Sequence, residues 1–145
     1  MVTVRLLAIG LLVGGCVDAV KCHAPEPWPA CAGAPAEPGA TGMPPAITSL
    51  MMPSCAYVAS PAVSGTIAIA DPDGDTALIK TSLYLGARLS ETETMLPLQT
   101  AKDFSGTFVV VVPMAAPGAY DVRVKAVDRA GGQSAPLCNT VTILQ

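Results

Sequence analysis

Hydrophobic and polar residues alternate strictly along residues 120–126, and this period of two constrains the fold more than any other feature of the chain. The apolar positions are Tyr120, Val122, Val124 and Ala126, and the charged positions between them are Asp121, Arg123 and Lys125. Successive side chains of a β-strand point to opposite faces of its sheet. The pattern therefore predicts a strand with one buried face and one solvated face.

The same period recurs in other segments, which turn-forming residues separate. The positions expected to face inward are Val63, Gly65, Ile67 and Ile69, then Ala77, Ile79, Thr81, Leu83 and Leu85, then Phe108, Val110 and Val112, and finally Val141 and Ile143. Asp, Pro and Gly cluster at residues 71–75, and residues 129–132 form a second turn. Short alternating segments joined by such turns are typical of an all-β domain.

The stretch from residue 86 to residue 103 has the weakest pattern. We expect one or two short edge strands there, and a helix over residues 90–95 is the competing interpretation. The residues expected to be partly buried are Met95, Leu96 and Leu98, and those expected to be solvated are Arg88, Glu91 and Glu93.

The first sixteen residues have the pattern of an export signal: a positive charge at Arg5, an apolar run over residues 6–13, two glycines and then Cys16. The run is about half the roughly 20 residues that a membrane-spanning helix needs, which is typical of a cleaved signal peptide. Residues 13–16 resemble the lipobox of bacterial lipoproteins. The resemblance implies removal of residues 1–15 and attachment of lipid to Cys16, which would hold the chain at the bacterial cell envelope.

Two observations bear on the destination of the chain. Val17, rather than an aspartate, follows Cys16, which favours the outer membrane if the cell is Gram-negative. The alternative is an ordinary secretory signal, since residues 17–19 also have the small-residue spacing of a general cleavage site. In that case Cys16 is lost and the protein is secreted or periplasmic.

Four cysteines remain when Cys16 is set aside, namely Cys22, Cys31, Cys55 and Cys138. An even number in an exported chain predicts two disulfides. Three pairings are open, and spacing favours Cys22 with Cys31 and Cys55 with Cys138. Free thiols are the alternative, and a metal site is disfavoured because no CxxC pair occurs and the only histidine, His23, lies in a proline-rich stretch.

Residues 16–45 are rich in Pro, Ala and Gly and have no hydrophobic period. They are predicted to form an extended tether between the lipid and a domain at residues 46–145. Trp28 is expected to pack locally within the loop between Cys22 and Cys31, with a recognition role as the alternative. The formal charge of −3 becomes about −4 without the signal peptide, and no basic run occurs, so nucleic acid is not expected as a partner.

Three segments of the predicted domain, residues 63–75, 105–108 and 117–131, resemble the bacterial immunoglobulin-like and fibronectin type III-like domains of extracellular proteins. The resemblance implies an antiparallel β-sandwich of about seven strands, with the Tyr120 hydroxyl bonded to backbone near the preceding turn. It also implies a first strand that breaks at Pro53 and continues in parallel with the last strand. Cys55 and Cys138 would then begin adjacent parallel strands, where a disulfide is feasible.

The carboxylates of Asp71, Asp73 and Asp75 lie at alternate positions of one turn, and Asp128 is expected in a neighbouring loop. Hard cations such as Ca²⁺ need several oxygen ligands, which makes these four residues a candidate metal site. The favoured interpretation is a turn, in which aspartate side chains bond nearby amides and glycine takes positive φ. No other cofactor is expected.

Catalysis finds little support in the sequence. The only histidine lies in the predicted tether, no G-x-S-x-G motif occurs, and no nucleophile has a base nearby. We therefore expect a non-catalytic, lipid-anchored module that contacts an envelope protein or a glycan, or has a structural role. A calcium-dependent adhesive module that uses residues 71–75 is the alternative.

Overall fold

The structure of the protein is a computed structural model, and it describes residues 22, 24–96, 102–112 and 116–145. The described residues form nine β-strands in two sheets. The strands are β1 (Glu26–Pro27), β2 (Ala46–Met52), β3 (Cys55–Tyr57), β4 (Ala62–Ala70), β5 (Thr76–Leu85), β6 (Arg88–Met95), β7 (Asp103–Val111), β8 (Gly118–Asp128) and β9 (Leu137–Leu144). Within these ranges no helix has the length and apolar character needed to cross a membrane.

The two sheets form an immunoglobulin-like sandwich. One sheet has the order β1-β2-β4-β7 and the other has the order β3-β9-β8-β5-β6. All neighbours are antiparallel except β3 and β9, which are parallel. The chain changes sheets at Pro53, between β2 and β3, so the predicted break is confirmed. Seven strands have seven or more residues, in agreement with the predicted number, and β1 and β3 are short additions.

The predicted alternation decides which side chains form the core between the sheets. The buried side chains at the predicted inward positions are those of Val63, Ile67, Ile69, Ile79, Leu83, Phe108, Val110, Val112, Val122, Val124, Val141 and Ile143. The outer positions of β8, such as Asp121 and Arg123, are exposed. Because the alternation is a local property of an extended chain, the strand faces were predictable without knowledge of the sheet order.

Residues 88–95 form a single edge strand, β6, rather than a helix, and nearly all of its residues are exposed on both faces. The prediction of partial burial is wrong for Met95, whose side chain is 69% exposed. Met95 is exposed because the opposite sheet does not extend over β6. Leu96 is partly buried and Arg88, Glu91 and Glu93 are exposed, as expected, whereas Leu98 lies outside the described residues.

The described part of the predicted tether, residues 24–45, lies against the sandwich instead of extending away from it. Trp28 is 4% exposed, packs in the core, and its Nε1 donates to the carbonyl of Met52 at 3.3 Å. Backbone bonds join Cys31 to Pro136 at 3.0 Å and Ala40 to Ala130 at 2.9 Å. The folded unit therefore includes residues upstream of the predicted boundary at residue 46.

The disulfides join Cys22 to Cys55 and Cys31 to Cys138, with Cα separations of 5.3 and 5.1 Å. All four predicted cysteines are paired, but the predicted pairing is wrong. Cys55 does begin a strand parallel to β9, but its register partner is Thr142, four positions beyond Cys138. Four residues of strand span about 13 Å, which exceeds the Cα separation that a disulfide can bridge.

Candidate functional site

The four predicted metal ligands lie at one end of the sandwich, which we call the acidic end and define by Asp71, Asp73, Asp75 and Asp128. The turn after β4 holds the first three, and β8 ends at Asp128. Gly74 has φ of 72°, the left-handed conformation expected of a glycine in this turn. Residues 24–45, which we call the tail, also reach this end, since the Met43 amide donates to Asp73 Oδ2 at 2.6 Å.

The carboxylate of Asp71 organises the turn through hydrogen bonds with the chain itself. Oδ1 accepts from the Asp73 amide at 3.0 Å. Oδ2 accepts from the amides of Asp75 and Thr76 at 2.8 and 2.6 Å, and from the Thr76 hydroxyl at 2.7 Å. Burial raises the pKa of Asp71, but these hydrogen bonds favour the charged form more strongly and the net pKa is lowered.

Asp75 has the opposite environment. Its Oδ1 is buried with no hydrogen-bond partner. Burial, followed by the negative charges of Asp128, Asp71 and Asp73, raises the pKa of Asp75, and Arg129 offsets part of this effect. The fold thus brings several carboxylates together at this end. Hydrogen bonds stabilise the charge of Asp71, whereas Asp75 has an oxygen without such a bond.

The acidic end has the geometry of hydrogen-bonded turns. Asp128 Oδ1 accepts from the Gly132 amide at 2.7 Å and helps close the turn after β8. No group of three or more His, Cys, Asp or Glu side chains in the described ranges has an arrangement that fits a metal ion. The structure therefore brings the four predicted residues together, with Asp71 and Asp128 acting as hydrogen-bond acceptors for backbone amides.

Tyr120 occupies the predicted corner position. Its ring is buried in β8, and its hydroxyl donates to the carbonyl of Ala116 at 3.0 Å while accepting from the Ala116 amide at 3.1 Å. The predicted bond to the preceding turn is confirmed. This contact secures the start of β8 and lies beside a cavity at the end of the sandwich opposite the acidic end.

The cavity has a volume of about 610 Å³ and is lined mainly by apolar side chains. Leu83, Leu85, Leu89, Val112 and Tyr120 form most of its wall, and Arg88 and Ser90 lie on the side of β6. This cavity was not predicted from the sequence. The available signal was the pair of leucines, Leu85 and Leu89, on either side of the hairpin turn at residues 86–87.

The outer face of the five-stranded sheet is polar and carries both charges. Lys125 Nζ lies 3.0 Å from Glu37 Oε1, and Lys80 Nζ lies 3.3 Å from Glu91 Oε2. The Arg123 guanidinium lies 4.9 Å from the centre of the Tyr84 ring. Exposed ion pairs of this kind add little stability, so this face serves mainly as a solvated surface.

Several predicted residues lie outside the described ranges, among them Cys16, the whole signal peptide and His23. Comparisons with known proteins supply no family. No family model matches the chain, and no curated protein matches it.

Two solved structures show general similarity. The PKD domain of a peptidase from a Thermoplasmatales archaeon is 21% identical with a TM-score of 0.46, and the match covers 74% of this chain and 100% of the other. A Niemann-Pick type C2 protein from the Japanese carpenter ant is 6% identical with a TM-score of 0.49, covering 74% of this chain and 98% of the other. The assignment to the immunoglobulin-like fold rests on the sheet order and the β2–β3 switch described above.

Proposed function

We propose that this protein is a non-catalytic bacterial envelope lipoprotein that presents one immunoglobulin-like module to an envelope protein or a glycan. The observation that carries the proposal is the pair of disulfides, which clamp the segment downstream of Cys16 onto β3 and β9. Disulfides of this kind persist in oxidising compartments, which agrees with export. Cys22 lies only six residues after Cys16, so an acylated Cys16 would hold the module close to a membrane.

The strand β6 is the surface that we assign to partner binding. Within the described residues it pairs only with β5, and both of its faces are exposed. An unpaired edge can accept a strand from another protein through backbone hydrogen bonds. Glu91 and Glu93 on this strand would favour a partner with basic side chains at the matching positions.

The anchor is tested with the substitution Cys16→Ser in cells fed a labelled fatty acid. We expect the wild-type protein to incorporate label and to remain with the membrane fraction, and C16S to lose both properties. Met43→Ser is a control, because it introduces a serine at an exposed position and leaves the lipobox and both disulfides intact. Unchanged membrane retention of C16S would contradict the proposal.

The partner surface is tested by crosslinking in cells, with a photoreactive residue at Thr92 on β6. A matched control carries the same group at Thr66, which is exposed on β4, a strand that has neighbours on both sides. We expect a discrete adduct from position 92 and none from position 66. Equal adducts from both positions would argue against β6 as the binding surface.

The calcium-dependent alternative is distinguished by thermal melting. The carboxylate of Asp71 already accepts four hydrogen bonds from the chain, so we expect EDTA to leave the Tm of calcium-treated protein unchanged. A clear fall in Tm after EDTA would favour the adhesive module that uses residues 71–75.

A further inference from the structure

Exposed apolar side chains gather at the end of the sandwich opposite the acidic end. Tyr57 and Val58 are 42% and 39% exposed, and Leu89 and Val111 are 52% and 57% exposed. Together with Arg88, these residues define what we call the apolar end. In the described residues at the neighbouring strand ends, 54–62, 84–89, 109–112, 116–119 and 143–145, Arg88 is the only charged side chain.

The strand register shows that these residues share one end. The Val112 amide donates to the Pro61 carbonyl at 2.8 Å, and Val111 pairs with Ala62, which places this end of β7 next to the turn at residues 57–60 that holds Val58. On the other sheet, Leu89 pairs with Tyr84 in the β5–β6 hairpin. The cavity described above connects the two sides, because both Leu89 and Val112 line it.

Cys22, the first residue that the structure describes, lies near this same end. Cys22 is bonded to Cys55, and Cys55 is level with Thr142 and Ala119, near the start of β8. From there the tail runs toward the acidic end, where Met43 contacts Asp73. Cys22 and the apolar end are therefore separated by about two residues of strand.

Chain length then decides which end can reach a membrane. Cys22 lies six positions after Cys16, and a fully extended chain over six residue steps spans about 20 Å. In β8, Asp128 lies nine positions after Ala119, a distance of about 30 Å along the strand. A lipid on Cys16 is therefore within reach of the apolar end but too close to Cys22 for the acidic end to lie on the bilayer.

We propose that the apolar end rests on the bilayer to which Cys16 anchors the chain, with Val58 and Leu89 in the interfacial region and Arg88 beside lipid phosphates. This orientation rests on the proposed lipid anchor. Apolar side chains gain by leaving water at the interface, and a cationic side chain at its edge is attracted to anionic lipid. The carboxylates of the acidic end would then face away from the negatively charged surface.

The test uses full-length acylated protein in vesicles of phosphatidylethanolamine and phosphatidylglycerol with brominated acyl chains, which quench tryptophan fluorescence at short range. The probes are Val58→Trp and Leu89→Trp at the apolar end. Matched controls are Met43→Trp and Met95→Trp, whose side chains are 56% and 69% exposed at the opposite end. The native Trp28 is buried and supplies a constant background.

We expect brominated lipid to reduce the added emission of the two apolar-end probes at least about twofold, as for side chains at the acyl boundary, and to leave the controls unchanged. Adding Leu89→Glu to the Val58→Trp protein should abolish the quenching, whereas Met95→Glu should not. Melting curves confirm that each variant is folded.

The outcomes separate this orientation from the anchor itself. Acylated protein that floats with vesicles while no probe is quenched, or while all four are quenched equally, overturns the orientation and leaves the anchor intact. A dimer in which the probes at residues 58 and 89 are shielded from lipid also overturns it, because a second copy then covers the end. Protein that carries no lipid and does not float overturns both proposals.

Discussion

At the scale of single residues, the stability of the acidic end depends on how many hydrogen bonds each buried carboxylate accepts. Asp71 accepts hydrogen bonds from three amides and one hydroxyl, whereas Asp75 has a buried oxygen with no partner. At pH 7 the charge of Asp71 therefore increases the free energy of unfolding, and the charge of Asp75 decreases it. The sequence shows that both are in a turn, but it does not show which of them receives the amides.

Substitution Asp71→Asn is expected to destabilise the protein by about 2–3 kcal/mol, because an amide nitrogen would face donors that now bond a carboxylate. Urea denaturation measures the effect, with Asp103→Asn as a control for the loss of one negative charge at an exposed position. The lowered pKa of Asp71 means that its contribution is present above its unfolded pKa of about 3.8 and is lost as the pH falls through the lower folded value. Equal stability of both variants would contradict this role.

Substitution Asp75→Asn is expected to stabilise the protein at pH 7. The raised pKa of Asp75 means that its ionised form is less favourable in the folded state than in the unfolded state. This penalty is absent well below pH 3.8, develops as the pH rises through the folded pKa, and is complete above it. The gain in the urea midpoint should therefore disappear in acid, and a gain that is independent of pH would refute the electrostatic cause.

At the scale of elements, the decisive feature is the four-residue offset in β9 between Cys138 and Thr142, the register partner of Cys55. It separates Cys55 from Cys138 and leaves each free to bond a cysteine of the tail. The tail is consequently held at both sheets, since β1 pairs with β2 while Ala30 bridges to Leu137. The two disulfides thus hold a segment that has little strand propensity of its own.

The pairing is tested by proteolysis without reduction, followed by mass spectrometry. We expect linked peptides that contain Cys22 with Cys55 and Cys31 with Cys138. The loop-entropy relation gives the expected loss of stability for each bond. Replacing Cys31 and Cys138 by serine should cost about 4.8 kcal/mol, because this bond closes a separation of 107 residues. Replacing Cys22 and Cys55 by serine should cost about 3.7 kcal/mol, for a separation of 33 residues. Peptides linking Cys22 to Cys31 would contradict the structure.

At the scale of the whole molecule, the sandwich and the tail form one folded unit. Trp28 closes the space between β2 and β9, and it lies in the same apolar cluster as Leu50, Met52 and Val124. The tail therefore completes the core on one side, while β6 leaves the other side open. This asymmetry separates a covered side from the side assigned to partner binding.

Substitution Trp28→Ala is expected to cost about 3–5 kcal/mol, because it removes a large buried ring from the core. Trp28→Phe is the matched variant, since it keeps an aromatic ring and loses only the Nε1 hydrogen bond to Met52. Trp28 is also the only tryptophan, so its fluorescence reports docking of the tail in the wild-type protein. A spectrum typical of an exposed indole in the native protein would mean that the tail is undocked.

The strand faces, the turns and the Tyr120 corner were predictable from the sequence, because each follows from residues that are neighbours along the chain. The alternation of β8 and the turn at residues 71–75 needed no information from distant segments. The same local reasoning was wrong for Met95, since its burial depends on whether the opposite sheet covers β6. It also placed Trp28 in a local loop, where the proline-rich composition gave no sign of the core.

By itself, the sequence determined that the chain is an all-β protein with defined inward-facing positions, because the period of two acts within each strand. Only the tertiary structure decided the cysteine pairing and the docking of the tail, since both depend on the offset between β3 and β9. It also decided that Val58, Leu89 and Val111, far apart in sequence, meet at one end of the sandwich. Such contacts arise from the order and register of the strands, which local periodicity does not specify.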